Sequence, residues 1–271
     1  MKKKIIVTVL AVILNSGVAF ADHPLIITGA DTLDKGEVEL ALTGELMFDK
    51  RKLNSRLARE RDVAYSEREA EAAATIFAGV GNNLEMEVEV PFVWMTEERE
   101  DGHKLNEIGL SDAEVSMKWR LYNEDALSFA FQPRVLLPTG DTEKDLGTGR
   151  ISYGLMFLST KKIAPIGLDV YLTIGLTHFD YKFDEDSVEA RHDIGHASFA
   201  VQKEITKNIK VVADLGTETN PSKNSDTRPT KVIVGLIYAA TDKLDIDFGI
   251  KDEITSTANH VVCLGGMKWK F

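Results

Sequence analysis

The segment Leu84-Glu85-Met86-Glu87-Val88-Glu89-Val90-Pro91-Phe92-Val93-Trp94 decides the fold. Leu84, Met86, Val88, Val90, Phe92 and Trp94 fall on one side of an extended chain, and Glu85, Glu87 and Glu89 on the other. A helix would spread those glutamates around its axis, whereas a strand sends residues two apart to one face. The same period of two recurs downstream. Ala113, Val115, Met117, Trp119 and Leu121 oppose Asp112, Glu114, Ser116, Lys118 and Arg120, and Leu244, Ile246, Phe248 and Ile250 oppose Asp245, Asp247, Gly249 and Lys251.

Twelve segments of this kind can be drawn, over 37–48, 71–80, 84–94, 112–121, 126–138, 150–161, 167–179, 190–203, 208–218, 231–240, 244–251 and 258–271. The pattern is weaker in 71–80, 190–203 and 231–240, where Ala, Gly or Val occupies both faces. The connections alternate as well. Those near 80–83, 122–126, 162–166, 203–207 and 240–243 are short. Those near 49–66, 95–108, 139–149, 180–189, 219–230 and 252–257 are mostly longer and rich in charge and turn residues. Short turns at one end and longer loops at the other are the habit of an outer-membrane β-barrel.

Alternation alone leaves open which face meets water. A secreted soluble β-protein would put its apolar residues inside. About 8 strands already give a barrel interior that side chains fill, so a twelve-stranded soluble barrel would enclose an empty apolar cavity, although a two-sheet sandwich escapes this objection. The aromatics favour the membrane. Trp119, Tyr122, Phe129, Tyr238, Trp269 and Phe271 sit at strand ends on the short-turn side, and Phe92, Trp94, Tyr153 and Phe179 towards the long-loop side. Two aromatic levels flanking an aliphatic band form the girdles of a membrane barrel. The predicted fold class is therefore all-β, a twelve-stranded antiparallel transmembrane β-barrel of outer-membrane type.

Both ends of the chain agree. Residues 1–21 read as a signal peptide, with Lys2, Lys3 and Lys4 before an apolar run from Ile5 to Leu14 and Ala19-Phe20-Ala21 at the cleavage site. The barrel is expected to occupy 22–271, exported to a bacterial outer membrane. Met267-Lys268-Trp269-Lys270-Phe271 alternates up to a terminal aromatic. A soluble edge strand could end this way, but after a signal peptide the ending looks like a strand read by the barrel-assembly machinery. Phe271 is the expected assembly signal.

If the apolar faces meet outer-membrane lipid, the charges line the lumen. The expected pore-lining set is Glu85, Glu87, Glu89, Asp112, Glu114, Lys118, Arg120, Arg134, Asp245, Asp247, Lys268 and Lys270. Chain direction places Glu85 and Glu87 beside Lys118 and Arg120, leaving Glu89 nearest Ser116 and least compensated. It places Lys268 and Lys270 between Glu37 and Glu39 on one side and Asp245 and Asp247 on the other. Arg134 falls near the level of Asp112 and Glu114. Such pairs can fix register and hydrate the lumen, or set selectivity.

The formal net charge of −11 excludes a generic nucleic-acid binder, since phosphate neutralisation needs surplus Lys and Arg. One cysteine, Cys263, makes no internal disulfide and falls in the lipid-facing series of the last strand. Catalysis has one tempting set, His192, His196 and Ser198, in which 196 and 198 share a face. Nothing around it resembles a barrel-hydrolase signature, and no catalytic residue is assigned. His23 and His103 suggest no chemistry. Asp184-Glu185-Asp186 reads as a solvated acidic loop before a metal site, and Gly147-Thr148-Gly149 lacks the lysine of a phosphate loop. No cofactor or metal is expected.

The stretches Asp22-His23-Pro24-Leu25, Gly109-Leu110-Ser111-Asp112 before Lys118-Trp119-Arg120, Leu137-Pro138-Thr139-Gly140-Asp141 and Leu146-Gly147-Thr148-Gly149, with the aromatic terminal strand, carry a resemblance. From about Asp22 to Phe271 the chain resembles the outer-membrane proteins named for the meta-pathway of phenol degradation. The resemblance implies a barrel and transport of small organic molecules. The family name reflects a pathway association, and no substrate-binding residue carries over. The expected function is a channel or transporter for small solutes, aromatic or hydrophobic ones among them. A structural or adhesion barrel with a closed lumen is the alternative, and an outer-membrane hydrolase stands third.

Overall fold

The computed structural model describes residues 29–49, 68–98, 104–255 and 260–271. The signal segment 1–21, the stretch 22–25, His103 and most of the loop 49–66 lie outside the described residues. The strands are β1 (Val38–Asp49), β2 (Arg68–Gly81), β3 (Leu84–Glu98), β4 (Lys104–Leu110), β5 (Ala113–Glu124), β6 (Leu127–Leu137), β7 (Ser152–Ile163), β8 (Leu168–His178), β9 (Asp193–Thr206), β10 (Ile209–Glu218), β11 (Thr230–Thr241), β12 (Leu244–Glu253) and β13 (His260–Lys270). All pairings are antiparallel and join sequence neighbours, except that β3 pairs with both β4 and β5, which do not pair with each other, and β1 closes on β13 with Glu39 opposite Lys270. Closure matters in lipid, where an open edge would leave backbone N–H and C=O groups unpaired.

Thirteen strands make twelve staves, because β4 and β5 are halves of one. β3 pairs with β5 over Leu84–Glu89 and with β4 over Phe92–Glu98. The break at Ser111-Asp112 lies beside Pro91, whose ring nitrogen has no hydrogen to donate to a ladder. Ser111 N instead donates to Pro91 O at 3.0 Å. The predicted long connection over 95–108 is thereby corrected. β3 continues to Glu98 and β4 returns from Lys104, because the alternation of Phe92 and Trp94 continues into the next polar residues.

At the short-turn end, Asp125 and Ala126 both have positive φ, the backbone of a type I′ hairpin. At the other end, 138–151 contains a 3-10 turn and 179–192 a short helix, Asp184–Glu189, which opens on the acidic triplet. The ninth strand starts at Asp193 and not at residue 190, since Ala190 to His192 belong to that loop.

Solvent exposure settles which face is which. Leu42, Leu46, Ile76, Val88, Met117, Leu155, Ile174, Leu215, Leu236, Phe248 and Ile250 point outward and are exposed, while Glu85, Glu87, Glu89, Lys118, Gln132 and Arg134 are buried inside. A water-soluble protein inverts this order. The outward belt includes Trp119, Tyr122, Tyr238 and Trp269 towards the short turns and Trp94 and Tyr153 towards the long loops. Phe179 departs from prediction. It is buried with Leu136, Tyr181 and Ala190, because it follows β8 into the inward-folded loop.

Candidate functional site: the barrel lumen

The lumen carries an ionic wall, further ion pairs around the seam, and an aliphatic patch across the barrel from the wall. The ionic wall belongs to β2, β3, β5 and β6. Register puts Glu85 opposite Lys118, Glu87 opposite Ser116 and Glu89 opposite Glu114. Lys118 Nζ lies 2.9 Å from Glu85 Oε1 and 3.1 Å from Glu87 Oε1, so a single ammonium serves two carboxylates. Gln132 Nε2 donates to Glu87 Oε2 at 2.8 Å and to Ser116 Oγ at 2.9 Å. Glu89 accepts from Thr75 Oγ1 at 3.1 Å, and Arg134 pairs with Glu114 at 3.3 Å while donating to Thr177 Oγ1. These groups mostly partner one another, as buried polar side chains do, while Gln132 Oε1 is buried without a hydrogen-bond partner among the described residues.

Two expectations about this wall change. Arg120 does not join Lys118 at the glutamates. It donates to Asn83 Oδ1 from Nε and Nη2 and lies 3.9 Å from Asp31, because it stands at the turn where Asn83 caps the hairpin. Glu89 faces Glu114 and not Ser116, a register two residues from the expected one. Strand direction alone specifies which strands face each other but leaves their offset free by an even number of residues.

Asp112 has a third kind of role. Its Oδ1 accepts from Gly140 N at 2.9 Å, and its Oδ2 accepts from Thr148 N at 2.8 Å and Thr148 Oγ1 at 2.9 Å. Thr139 Oγ1 accepts from Ala113 N and donates to Ser111 O, restoring bonds that the strand break interrupts. A Cβ on Gly147 would sit 2.3 Å from Asp112 Oδ1, so only glycine permits this approach. The motifs Gly109–Asp112, Leu137–Asp141 and Leu146–Gly149 thus meet in space as one staple. Sequence separation hid this, although all three shared the same turn chemistry. Within the loop, partial desolvation and the nearby Glu107 hold the Asp145 carboxyl above its usual range.

At the seam, Lys268 pairs with Glu39 at 3.0 Å and Lys270 with Asp245 at 3.4 Å. Lys268 also lies over the ring of Phe77, 4.5 Å from its centroid. Asp247 is buried, opposite Gly266 of β13 and Ile237 of β11. Glu37 is spent locally, accepting from Asp34 N. Phe271 is 70 % exposed, and its N donates to Val38 O at 3.1 Å. Sequence reasoning missed Gln132, Thr75, Thr177 and the Glu45–Lys251 pair. Gln132 shares a face with Arg134, and Glu45 shares one with Glu39. Parity could have found both.

The aliphatic patch is formed by Val212, Ile237, Val262 and Leu264, with Met47 and Ile233 packed against them. These side chains come from β10, β11, β13 and β1, across the barrel from β5. His196 and Ser198 also face inward on β9, opposite Gly175 and Thr173 of β8. His192 lies outside that strand, its Nδ1 2.6 Å from Phe179 O. His192 therefore stands apart from the inward-facing pair His196 and Ser198, and no catalytic role is assigned to the three.

A family profile described as "MetA-pathway of phenol degradation" matches residues 63–261. The chain belongs to this family. No curated protein sequence matches it. Among solved structures, the family member is similar to the COG4313 outer membrane channel from Pseudomonas putida F1, at 13 % identity and TM-score 0.69, covering 91 % of this chain and 100 % of that one. It is also similar to the NanC porin, at 10 % identity and TM-score 0.59, covering 86 % and 100 %. The KdgM porin follows at 8 % identity and TM-score 0.55, covering 85 % and 99 %. At these identities the likeness establishes the outer-membrane barrel fold.

Proposed function

We propose that the protein is a non-enzymatic channel through the outer membrane for small organic solutes, including aromatic ones. The observation that carries this reading is the two-sided lumen. A solute with a polar group and an apolar body can face the Glu87–Gln132–Ser116 side and the Val212–Leu264 side at once. Most small-molecule sites combine an apolar lining with a few oriented polar groups in this way. The family description, with its link to phenol degradation, and the neighbour named as an outer membrane channel support it. Glu89, Glu114 and Asp247 are the acids proposed to act on a passing solute, whereas Glu85, Glu87 and Lys118 mainly hold register.

The alternative is a structural or adhesion barrel, favoured by the cross-linking of β3, β5 and β6 side chains within the lumen. Reconstitution separates the two. A channel gives single-channel steps in planar bilayers and lets phenol or a similar small aromatic enter protein-loaded vesicles faster than empty ones. A closed barrel gives neither.

A further inference from the structure

Residues 29–36 run inside the barrel before β1 begins. Ala30 is fully buried, packed with Ala130, Met156 and Leu158 on the inner faces of β6 and β7. Its N donates to Thr160 Oγ1 at 2.8 Å. Asp31 pairs with Lys162 at 2.7 Å and lies 3.9 Å from Arg120. Leu33 N donates to Glu85 Oε2 at 2.7 Å, and Gly36 N donates to Gly79 O at 2.7 Å. The segment therefore starts against β7, passes β5 and β3, and joins β2, all at the short-turn end of the lumen. It forms a strap over that mouth.

We propose that this strap is the gate of the channel, displaced when solute passes, with Asp31 and Glu85 as its latches. The inference rests on the channel reading above. Three features distinguish the strap from a permanent part of the wall. Its attachments are separate contacts at residues 30, 31, 33 and 36, in contrast to the continuous ladder that begins at Val38. The Asp31–Lys162 pair is partly exposed, where water competes for both charges. Thr32 Oγ1 is buried without a hydrogen-bond partner among the described residues, a deficit that release into water would remove. Gly36, with φ of +93° and open space around it, supplies the hinge.

Glu85 couples the gate to the lumen. Its Oε1 holds Lys118 while its Oε2 holds the strap. A solute that draws Lys118 away removes the counter-charge from the carboxylate that retains Leu33. Gly79 couples the gate to the wall, since a Cβ there would fall 2.0 Å from Asp34 O.

The test uses the full mature chain in planar bilayers, with folding checked by the boiling-dependent gel shift. Asp31→Asn weakens one latch, and Gly79→Ala pushes the strap off the wall. Both should raise the open fraction several-fold. If Gly79→Ala does not fold, Asp31→Asn carries the measurement. In a Cys263→Ser background, Ala30→Cys with Thr160→Cys should form a disulfide that abolishes conductance until a reductant restores it. Failure of that crosslink to form would place the strap elsewhere and overturn the proposal. Equal conductance in the wild type, both release variants and the oxidised crosslink would overturn the gate and leave the channel standing. Silence of every protein, release variants included, with no phenol uptake, would overturn the channel reading and the gate with it.

Discussion

Glu89 and Glu114 stand directly opposite each other across the β3–β5 ladder, inside the barrel. Like charges on facing residues oppose pairing, and here Arg134 on Glu114 and the Thr75 hydroxyl on Glu89 divide the compensation. The arrangement costs stability, and it keeps negative charge beside the lumen. Glu89→Gln should therefore raise the unfolding free energy by about 0.2–1 kcal/mol, the usual size of a cross-strand charge effect. It should also reduce any preference of the channel for cations. Urea unfolding in detergent and reversal potentials under a salt gradient measure the two effects.

Lys118 should be the most sensitive residue of the ionic wall. Its removal leaves Glu85 and Glu87 together without their shared ammonium. Lys118→Gln should cost about 3–5 kcal/mol, the range for breaking a buried pair. Glu87→Gln should cost less, about 1–2 kcal/mol, since Lys118 keeps Glu85 and a glutamine can still accept from Gln132. The double variant should fall short of the sum of the two losses, as interacting sites do. Additive losses in a double-mutant cycle would contradict the shared ammonium.

The Asp112 staple should govern the loop and leave the barrel intact. Asp112→Ala removes three acceptor contacts to Gly140 and Thr148. We expect a local cost of about 2–3 kcal/mol, as for a charged hydrogen-bond acceptor. Amide exchange should quicken over 138–150 and at Ala113, with little change in β7 to β13. Uniform acceleration across the barrel would show that the staple supports the whole fold.

Phe271 should matter more for assembly than for packing. The side chain is largely exposed, and its backbone N–H donates to Val38 O of β1. Phe271→Ser should reduce folded protein in outer membranes sharply while barely altering refolding yield in detergent. Equal loss in both assays would mean that the ring stabilises the barrel directly.

The strands, their number and the face that meets lipid were legible in the sequence, because period-two alternation is a local property and each strand carries its own copy. Leu84–Glu89 alone displays both faces, and the short connection near 122–126 marks where one strand turns into the next. Offsets between strands were not legible. Nothing local says whether Glu89 meets Ser116 or Glu114, since both choices keep every apolar residue outside. The split stave was written in Pro91, yet its consequence depends on which neighbour the missing N–H would have met.

Longer-range associations belonged to the tertiary structure alone. Asp112 finds Thr148 only after β6 and the loop have doubled back, and Glu45 finds Lys251 only when the barrel closes. The strap is the clearest case. Residues 29–36 show neither clear alternation nor a helical period, and they precede the first strand drawn from the sequence, 37–48, with no element of their own. Their place against Thr160 and Glu85 is set by hydrogen bonds to strands that do not yet exist when that segment is read by itself. Periodicity determined the barrel of this protein. Closure of the barrel, which brings distant donors and acceptors to one enclosed space, decided what stands inside it.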